Sequence, residues 1–369
     1  MLKVMTIVGT RPEIIKLSRV IPELDKHAEH VLVHTGQNPD YQLNNVFFDE
    51  LGIREPDERH DTAIRGGKSP PELIGDYLSV VDQALARHEP DAVLVLGDTN
   101  SALSVYAAKR RHIPIFHMEA GNRCFDERVP EEVNRRIIDH IADINMPYTE
   151  HARRNLLAGG IAPDRIIKTG SPMREVLDHY IPASVNSDVL ERLSLVSRDY
   201  YVVSAHREEN IDDDTRFAAL TEMIARLAQD VPVVWSIHPR VMSRRHHQYG
   251  PFSNVIMHKP FGFPDYMKLQ INARCVISDS GTLTEEAAMM GFPAVQIRQA
   301  HERPEGMDAG VMIMSDLRTE QVLDAVRLAA EQDTSSVVVP DYCDHLVAQK
   351  VVRIILSYTD YVRRVVWRS

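Results

Sequence analysis

Short apolar runs rich in β-branched residues alternate with longer amphipathic stretches, and this alternation limits the possible folds more than any other feature. The runs that predict strands cover 3–8, 30–34, 92–96, 113–117, 201–204, 231–237, 255–257, 276–278 and 294–297. Helical patterns lie among or after them at 73–88, 102–111, 214–229 and 319–332. Strands that alternate with helices are typical of a parallel sheet with helices on both faces. We therefore expect an α/β protein.

The chain has 369 residues, more than one ordinary hydrophobic core supports, so about two domains are expected. Glycine, proline, serine and asparagine interrupt the periodic pattern between 170 and 185. We expect an N-terminal domain at 1–172 and a second domain at 173–349. The last helical pattern, at about 350–369, is a candidate to pack back on the first domain. Two tandem α/β domains favour a ligand cleft between them.

Composition excludes several classes of protein. Hydrophobic residues make up 44% of the chain and charged residues 26%, and no apolar stretch approaches the roughly 18 residues of a membrane span. The N-terminal apolar run is strand-sized and lacks the layout of a signal peptide. Three scattered cysteines without metal-ligand spacing suit a reducing compartment. The net charge of −11 argues against nucleic acid as a partner. We expect a cytoplasmic protein with no membrane partner.

The first predicted strand is followed by Gly9-Thr10-Arg11-Pro12-Glu13, where Thr10 can cap a helix and Pro12 suits its first turn. A strand, a glycine turn and a helix start point backbone N–H groups at an anion. The same geometry places Arg11 and Lys16 at the carboxyl edge of the sheet, where open α/β folds bind ligands. An ordinary βα turn with surface charges explains the spacing equally well.

Three carboxylates follow predicted strands in the first half. Asp98 comes directly after one strand and Glu119 after the next, with His117 beside it. Glu131 follows Pro130 at a predicted helix start. Paired carboxylates are a common means of general acid/base catalysis. Each has a structural alternative, because Asp98 can cap a helix and Glu131 can complement a helix dipole.

Basic groups follow two strands of the second half. His206 and Arg207 end the first of them, and His238 with Arg240 repeats the pattern on the next. A histidine–arginine pair in a cleft suits phosphate binding or proton transfer. A structural histidine is the alternative.

A third strand of the second half leads into Ser278-Asp279-Ser280-Gly281-Thr282 and then a helix that begins with acids. Ser280 and Gly281 predict an anion cradle, and Glu286 one turn inside suits a ribose hydroxyl. A capping box of Thr282 with Glu285 is the competing interpretation. Arg303, in a loop after the next strand, can reach the same phosphates.

Seven ordered motifs carry a resemblance that spans nearly the whole chain. They are GTRPE at 9–13, GDT at 97–99, EAG at 119–121, PEEVNR at 130–135, HREEN at 206–210, SDSG with EEA at 278–287 and ERPE at 302–305. Together they resemble the non-hydrolysing UDP-N-acetylglucosamine 2-epimerase family. The resemblance implies a GT-B-like fold of two Rossmann-like domains with the nucleotide sugar between them. It also implies no metal or redox cofactor, and a homodimer.

The family inverts C2 of an N-acetylated sugar by anti elimination of UDP and re-addition to a glycal. Carried over by motif, Asp98, Glu119 and Glu131 are the acid/base candidates, and their individual roles stay open. The resemblance also assigns a group of residues to binding the diphosphate or assisting its departure: His206, Arg11, Ser280, Gly281 and Arg303. It assigns Glu286 to the ribose and Lys16 as a further basic position. Tyr266, ahead of a helical segment, is assigned to the uracil.

Two departures from the family pattern bear on the substrate. Family members that act on UDP-GlcNAc usually have His after Gly-Gln, at a second, regulatory nucleotide-sugar site, whereas this chain has Asn38. The loop 122–129 is more similar to the branch that makes UDP-N-acetyl-L-fucosamine from UDP-2-acetamido-2,6-dideoxy-L-talose, a step that feeds surface polysaccharide synthesis. We predict that reaction, with UDP-GlcNAc or UDP-2,3-diacetamido-glucuronate as alternative substrates. A GT-B glycosyltransferase and a nucleotide-sugar sensor are the alternatives from other classes.

Overall fold

The computed structural model describes residues 1–37, 48, 50–62, 67–237, 241 and 252–368. The chain forms two compact units. Unit 1 combines Met1–Val176 with Asp341–Ser369, and unit 2 is Leu177–Pro340. Each unit contains a parallel sheet, as the alternation of strands and helices predicts.

The strands of the described residues are β1 (Lys3–Val8), β2 (Glu29–His34), β3 (Glu58–Arg59), β4 (Ala92–Leu96), β5 (Ile115–Met118), β6 (Ile144–Met146), β7 (Tyr201–Ala205), β8 (Val233–Ile237), β9 (Val255–His258), β10 (Cys275–Ser278), β11 (Ala294–Ile297) and β12 (Ile313–Ser315). The α-helices in the same ranges are α1 (Arg11–Leu17), α2 (Val20–His27), α3 (Pro70–His88), α4 (Val105–Arg110), α5 (Pro130–Ile141), α6 (Glu150–Ala158), α7 (Met173–Val185), α8 (Val189–Arg192), α9 (Glu208–Ile211), α10 (Asp214–Leu227), α11 (Phe263–Asn272), α12 (Leu283–Met290), α13 (Pro304–Ala309), α14 (Thr319–Glu331) and α15 (Val347–Tyr361). A π-helical turn, Val362–Trp367, follows α15.

The sheet of unit 1 has the order β3-β2-β1-β4-β5-β6, and the sheet of unit 2 has the order β12-β11-β10-β7-β8-β9. All neighbouring strands are parallel. Every residue of β4 and of β8 is buried, because helices cover both faces of a parallel sheet. This burial explains why the central strands read as uninterrupted apolar runs.

The C-terminal helix α15 lies in unit 1 and packs against α2. Val347, Val351 and Ile355 are fully buried on its inner face. Their spacing of four residues places them on one side of the helix. Lys350 Nζ also donates to the Thr169 carbonyl at 2.9 Å. The last helix therefore completes the core of unit 1.

Parallel strands bring the turns that follow them to one edge of each sheet. In unit 1, Leu96 of β4 pairs with Met118 of β5, so the turns after these strands are neighbours. In unit 2, Ser278 of β10 pairs with Ser204 of β7 and with Gln296 of β11. None of the helices that the structure describes has the length and apolar character needed to cross a bilayer.

Candidate active site

The turn between β1 and α1 is organised by Glu13. Its Oε2 accepts hydrogen bonds from the backbone N–H groups of Gly9 and Thr10 at 2.9 and 2.7 Å. Thr99 Oγ1, from the turn after β4, donates to Oε1 at 3.0 Å. Burial raises the pKa of Glu13 above its ordinary value. Glu13, to which sequence reasoning gave no role, thus ties together two turns of the site, and half-buried Arg11 begins α1 beside it.

A chain of alternating charges crosses the carboxyl edge of the first sheet. Lys16 Nζ donates to Glu119 Oε2, and both side chains are buried. Arg135 Nη2 lies 4.0 Å from Glu119 Oε1 and donates to Asp98 Oδ2. Asp98 is the most exposed member, with 16% of its side chain accessible. The structure therefore brings together Lys16, Asp98 and Glu119, as the sequence predicts.

Arg135 is the member of this chain that sequence reasoning missed. It lies on α5, one turn after Glu131 and inside the PEEVNR motif. The signal for it is weak, because its partner Asp98 is 37 positions away in sequence.

Glu131 differs from its neighbour Glu132. Glu132 is buried, accepts a hydrogen bond from the Cys124 N–H at 2.8 Å and pairs with Arg136. Glu131, half-buried at the second position of α5, makes no hydrogen bond or ion pair with any residue in the described ranges. Its carboxylate is therefore the uncommitted one of the three candidates.

The structure places His117 beneath the edge of the sheet rather than at it. His117 is fully buried, with Nε2 2.7 Å from the Gly97 carbonyl oxygen and Nδ1 3.1 Å from Asp139 Oδ1. Arg123 Nη2 lies 2.7 Å from Asp139 Oδ2. Burial alone would raise the pKa of Asp139, but His117 and Arg123 hold that pKa below its ordinary value.

In unit 2, Asp279 holds the turn that carries His206. Its carboxylate accepts from the backbone N–H groups of His206 and Arg207 at 3.0 Å and from the Asn210 amide at 3.0 Å. His206 Nδ1 lies 3.0 Å from Asp279 Oδ1, and 42% of the His206 side chain is accessible. Burial would raise the pKa of Asp279, but His206 and these donors lower it well below its usual range. The imidazole is thus fixed at one nitrogen and accessible to a ligand.

The start of α12 lies at the carboxyl edge of the sheet of unit 2, as does the turn that carries His206. The Ser280 and Thr282 hydroxyls lie 3.0 Å apart. Thr282 Oγ1 donates to Glu286 at 2.7 Å, and Gln270 Nε2 donates to the other Glu286 oxygen at 2.6 Å. No capping box with Glu285 forms, so that alternative is wrong.

The sequence suggested that Tyr266 precedes a helix, but the structure places it within α11. It precedes Gln270 by four residues and so shares a helix face with it. Since Gln270 contacts Glu286, α11 places Tyr266 on the side of the helix that faces α12.

Two buried arginines lie near the first turn of α12. Arg303 binds Glu285 through Nε and Nη2 at 3.2 and 3.1 Å, so its guanidinium is held inside unit 2. Arg298, which sequence reasoning did not single out, has its Nε and Nη1 atoms without a partner among the described residues. A methyl group on Gly281 would lie 3.9 Å from Arg298 Nη1. Burial, and then Arg207, lower the pKa of Arg298. Asn38, His238 and Arg240 lie outside the described residues.

Comparison with known proteins identifies the family. The family model described as UDP-N-acetylglucosamine 2-epimerase matches residues 22–356. The structure of UDP-N-acetylglucosamine 2-epimerase from Rickettsia bellii matches with a TM-score of 0.91 at 50% identity, over 100% of both chains. The crystal structure of Methanocaldococcus jannaschii UDP-GlcNAc 2-epimerase in complex with UDP-GlcNAc and UDP matches with a TM-score of 0.87 at 30% identity, over 96% of this chain and 100% of that one. The UDP-2,3-diacetamido-2,3-dideoxy-D-glucuronate 2-epimerase of Pseudomonas aeruginosa is 32% identical over 337 residues, 88% of this chain and 92% of that protein.

Two parallel six-stranded sheets with surrounding helices define a GT-B-like α/β enzyme, and the matches place it among the isomerases. The chain belongs to the non-hydrolysing UDP-N-acetylglucosamine 2-epimerase family and is a UDP-sugar 2-epimerase.

Proposed function

We propose that this epimerase converts UDP-2-acetamido-2,6-dideoxy-L-talose to UDP-N-acetyl-L-fucosamine, a precursor for surface polysaccharide. The observation that carries the chemistry is the group of three carboxylates in unit 1, of which two are held by cations and one is uncommitted. Two carboxylates pinned by Lys16 and Arg135 have fixed positions, and the free Glu131 can approach a substrate proton.

The proposed reaction proceeds by elimination and re-addition of UDP. The sugar C2–H is not adjacent to a carbonyl, so its removal cannot proceed through an enolate. A carboxylate removes the C2 proton while the C1–O bond to UDP breaks, which leaves a C1–C2 double bond. UDP oxygen then re-adds to C1 while a carboxylic acid returns a proton to the opposite face of C2. Asp98, Glu119 and Glu131 carry these two proton transfers.

Unit 2 is proposed to bind UDP and to stabilise its departure. The accessible His206 imidazole, fixed by Asp279, is suited to the charge that develops on the leaving diphosphate. Ser280 and Gly281 present the N-terminus of α12 to a phosphate. Glu286 is assigned to the ribose and Tyr266 to the uracil. The resemblance also assigns Arg11 and Arg303 to the diphosphate, although the Arg303 guanidinium is bound to Glu285 inside unit 2.

The loop 122–129 supports the choice of sugar. Its two arginines are engaged within unit 1, because Arg123 pairs with Asp139 and Arg128 binds Asp126 through Nε and Nη2 at 2.8 and 2.7 Å. A C6 carboxylate would require a cation, so this arrangement disfavours the uronate substrate. Phe125 is 73% exposed on the same loop, and its ring is suited to contact a C6 methyl group. These observations favour the 6-deoxy sugar.

The three candidate UDP-sugars, incubated separately with the enzyme and followed by NMR, test the proposal. We expect the largest kcat/KM for UDP-2-acetamido-2,6-dideoxy-L-talose, with UDP-GlcNAc slower by about 10-fold or more, since it differs both in its 6-hydroxyl and in its ring configuration. In D₂O the product should carry deuterium at C2. A preference for UDP-GlcNAc or the uronate would overturn the substrate assignment. No exchange at C2 with any of the three, or UDP release only on addition of a sugar acceptor, would overturn the epimerase reaction.

Variants separate catalysis from binding in the same assay. Asp98→Asn and Glu131→Gln should bind UDP with the parent's affinity and lose deuterium exchange. Glu127→Gln, on the exposed surface of the loop, is the matched control and should keep both. Retention of the full rate by Asp98→Asn and Glu131→Gln would favour a nucleotide-sugar sensor instead.

We also propose that the enzyme is a homodimer, as the family resemblance implies. Sedimentation equilibrium should give twice the chain mass of 41.9 kDa, and a monomer at micromolar concentration would contradict the proposal.

A further inference from the structure

Asn134 is a buried residue of α5 to which the proposed reaction gives no role. It belongs to the PEEVNR motif, and only 8% of the residue is accessible. Its Nδ2 donates to the Asp98 carbonyl oxygen at 3.0 Å and to Asn100 Oδ1 at 2.9 Å. A carbonyl oxygen only accepts, so the amide nitrogen of Asn134, and not its amide oxygen, faces Asp98. Both N–H bonds of this amide are therefore used on one turn.

The turn that Asn134 binds follows β4 and carries Asp98. Its two acceptors, Asp98 and Asn100, lie on either side of Thr99 in sequence. Thr99 Oγ1 donates to Glu13 Oε1 of α1 at 3.0 Å. The turn is thus attached to α1 through Thr99 and to α5 through Asn134.

The face of α5 that bears Asn134 also bears Glu131 and Arg135. Residues three and four positions apart are neighbours on a helix surface, so these three side chains lie on one face. Arg135 donates to the Asp98 carboxylate, whereas Asn134 donates to the Asp98 backbone. An arginine side chain has several rotatable bonds, so its ion pair can persist when the backbone of the turn moves. The short side chain of Asn134 holds the backbone itself.

We propose that Asn134 is a positioning residue, whose amide fixes the backbone of the Asp98 turn to the face of α5 that carries Glu131. It sets the separation of two of the three carboxylates to which proton transfer is assigned. Asn134 is uncharged, so its effect on the site is geometric rather than electrostatic. The catalytic consequence rests on the proposed function, whereas the attachment of the turn does not.

Asn145 supplies a matched control. It is a fully buried asparagine of β6, and its Nδ2 donates to the Asp139 carbonyl oxygen of α5 at 2.9 Å. This bond has the same chemistry as the Asn134 bond to Asp98 but reaches α5 near its other end. Leucine keeps the branched shape of asparagine, adds no charge and removes the donor. Asn134→Leu and Asn145→Leu therefore lose the same kind of bond at different places.

Amide hydrogen exchange of the full-length protein, read by mass spectrometry, tests the attachment without a substrate. In Asn134→Leu the two acceptors lose their donor and must turn to water. We expect exchange in peptides that cover 97–104 to rise at least fivefold, while β1 and β2 keep the parent's rates. Asn145→Leu should leave 97–104 unchanged. Unchanged exchange at 97–104 in Asn134→Leu, or a uniform rise across unit 1, would overturn the proposal. Asn134→Ala removes the same donor and replaces the leucine variant if leucine prevents folding.

Steady-state kinetics with the preferred UDP-sugar test the positioning role. Asn134→Leu should lower kcat on the order of 100-fold, since misplacement of a catalytic group by about 1 Å costs that much. KM and UDP affinity should stay within twofold of the parent, because Asn134 is not among the residues assigned to UDP. Asn145→Leu should keep kcat within threefold of the parent. Urea unfolding of both variants gives the folded fraction to which each kcat is referred.

The outcomes separate the proposals. A loss of kcat in Asn145→Leu equal to that in Asn134→Leu, or parallel changes in KM and UDP affinity, would show a merely structural role for Asn134 and overturn the positioning proposal. If the parent epimerises no UDP-sugar, the proposed function fails, and the exchange result still decides whether Asn134 holds the turn.

Discussion

Two buried arginines near the start of α12, five residues apart in sequence, differ in how firmly a carboxylate binds them. Arg303 is bound to Glu285, whose side chain is completely buried. Arg298 has one ion-pair contact, with Glu302 at 3.4 Å, and two nitrogens without partners among the described residues. A buried donor without a partner costs about 1–3 kcal/mol. A ligand anion near Gly281 would offset this cost.

Replacement of each arginine by methionine should have opposite effects on the free energy of unfolding. Arg298→Met removes the unsatisfied donors, and we expect stability to rise by about 1–3 kcal/mol while UDP binding weakens at least tenfold. Arg303→Met leaves Glu285 buried without its arginine, and we expect a loss of about 3–5 kcal/mol. Urea unfolding and calorimetric UDP titration measure both. A stability loss in Arg298→Met similar to that of Arg303→Met would show that Arg298 serves the fold and not a ligand.

At the scale of single elements, the ionised side chain of Asp279 stabilises the turn that follows β10. Asp279 accepts from the N–H groups that begin the turn after β7, so its carboxylate joins the ends of two neighbouring strands. The folded state lowers the pKa of Asp279 below its ordinary value of 3.8. A group with a depressed pKa stabilises the fold above its ordinary pKa, and this contribution is lost as the pH falls toward the folded-state value.

We therefore expect Asp279→Asn to weaken the dependence of the free energy of unfolding on pH at acid pH. The parent should lose stability between pH 4 and pH 2, and the variant should lose less over this range, from a lower stability at pH 7. Urea unfolding at pH 7, 4, 3 and 2.5 checks the slope. Asp324→Asn, an exposed residue of α14, is the control and should follow the parent. An acid slope in Asp279→Asn as steep as the parent's would contradict the assigned role of this carboxylate.

The sequence predicted strands best where burial is complete on both sides. The ranges 92–96 and 294–297 agree with β4 and β11 to the residue, because a strand covered on both faces needs apolar residues throughout. The α/β class, the GT-B-like fold and the family were likewise confirmed. Strand β6 and strand β12 were missed, since three residues carry too little periodicity to separate them from a loop. The helix expected at 102–111 is a 3₁₀ turn followed by α4.

For the candidate site, the parallel-sheet rule predicts which turns meet, and the structure brings Lys16, Asp98 and Glu119 together. The sequence did not predict which residue pairs with each of these charged side chains. Arg135 reaches Asp98 across 37 positions, and His117 turns inward to Asp139. Whether a charged side chain at a strand end faces solvent or the layer beneath depends on neighbours that a single sequence does not identify.

At the scale of the whole molecule, unit 1 is built from two separate stretches of chain. The chain leaves unit 1 after Val176 and returns at Asp341, and α15 supplies buried residues to a core that the first 176 residues leave incomplete. Val347, Val351 and Ile355 are fully buried. Burial of each such side chain contributes about 1.5–3 kcal/mol of hydrophobic stabilisation, so the core of unit 1 depends on α15.

A charge on the inner face of α15 should therefore unfold unit 1 selectively. We expect Val351→Asp to raise amide hydrogen exchange across β1 to β6, because an aspartate there would be buried without a partner, while unit 2 keeps its protection. Leu356→Asp changes a residue that is 44% exposed on the same helix and is the matched control, with exchange close to the parent's. Mass spectrometry of peptides from the two units separates their exchange. Unchanged protection of unit 1 in Val351→Asp would show that residues 1–176 form a stable unit without α15, and equal loss in unit 2 would show that the two units unfold together.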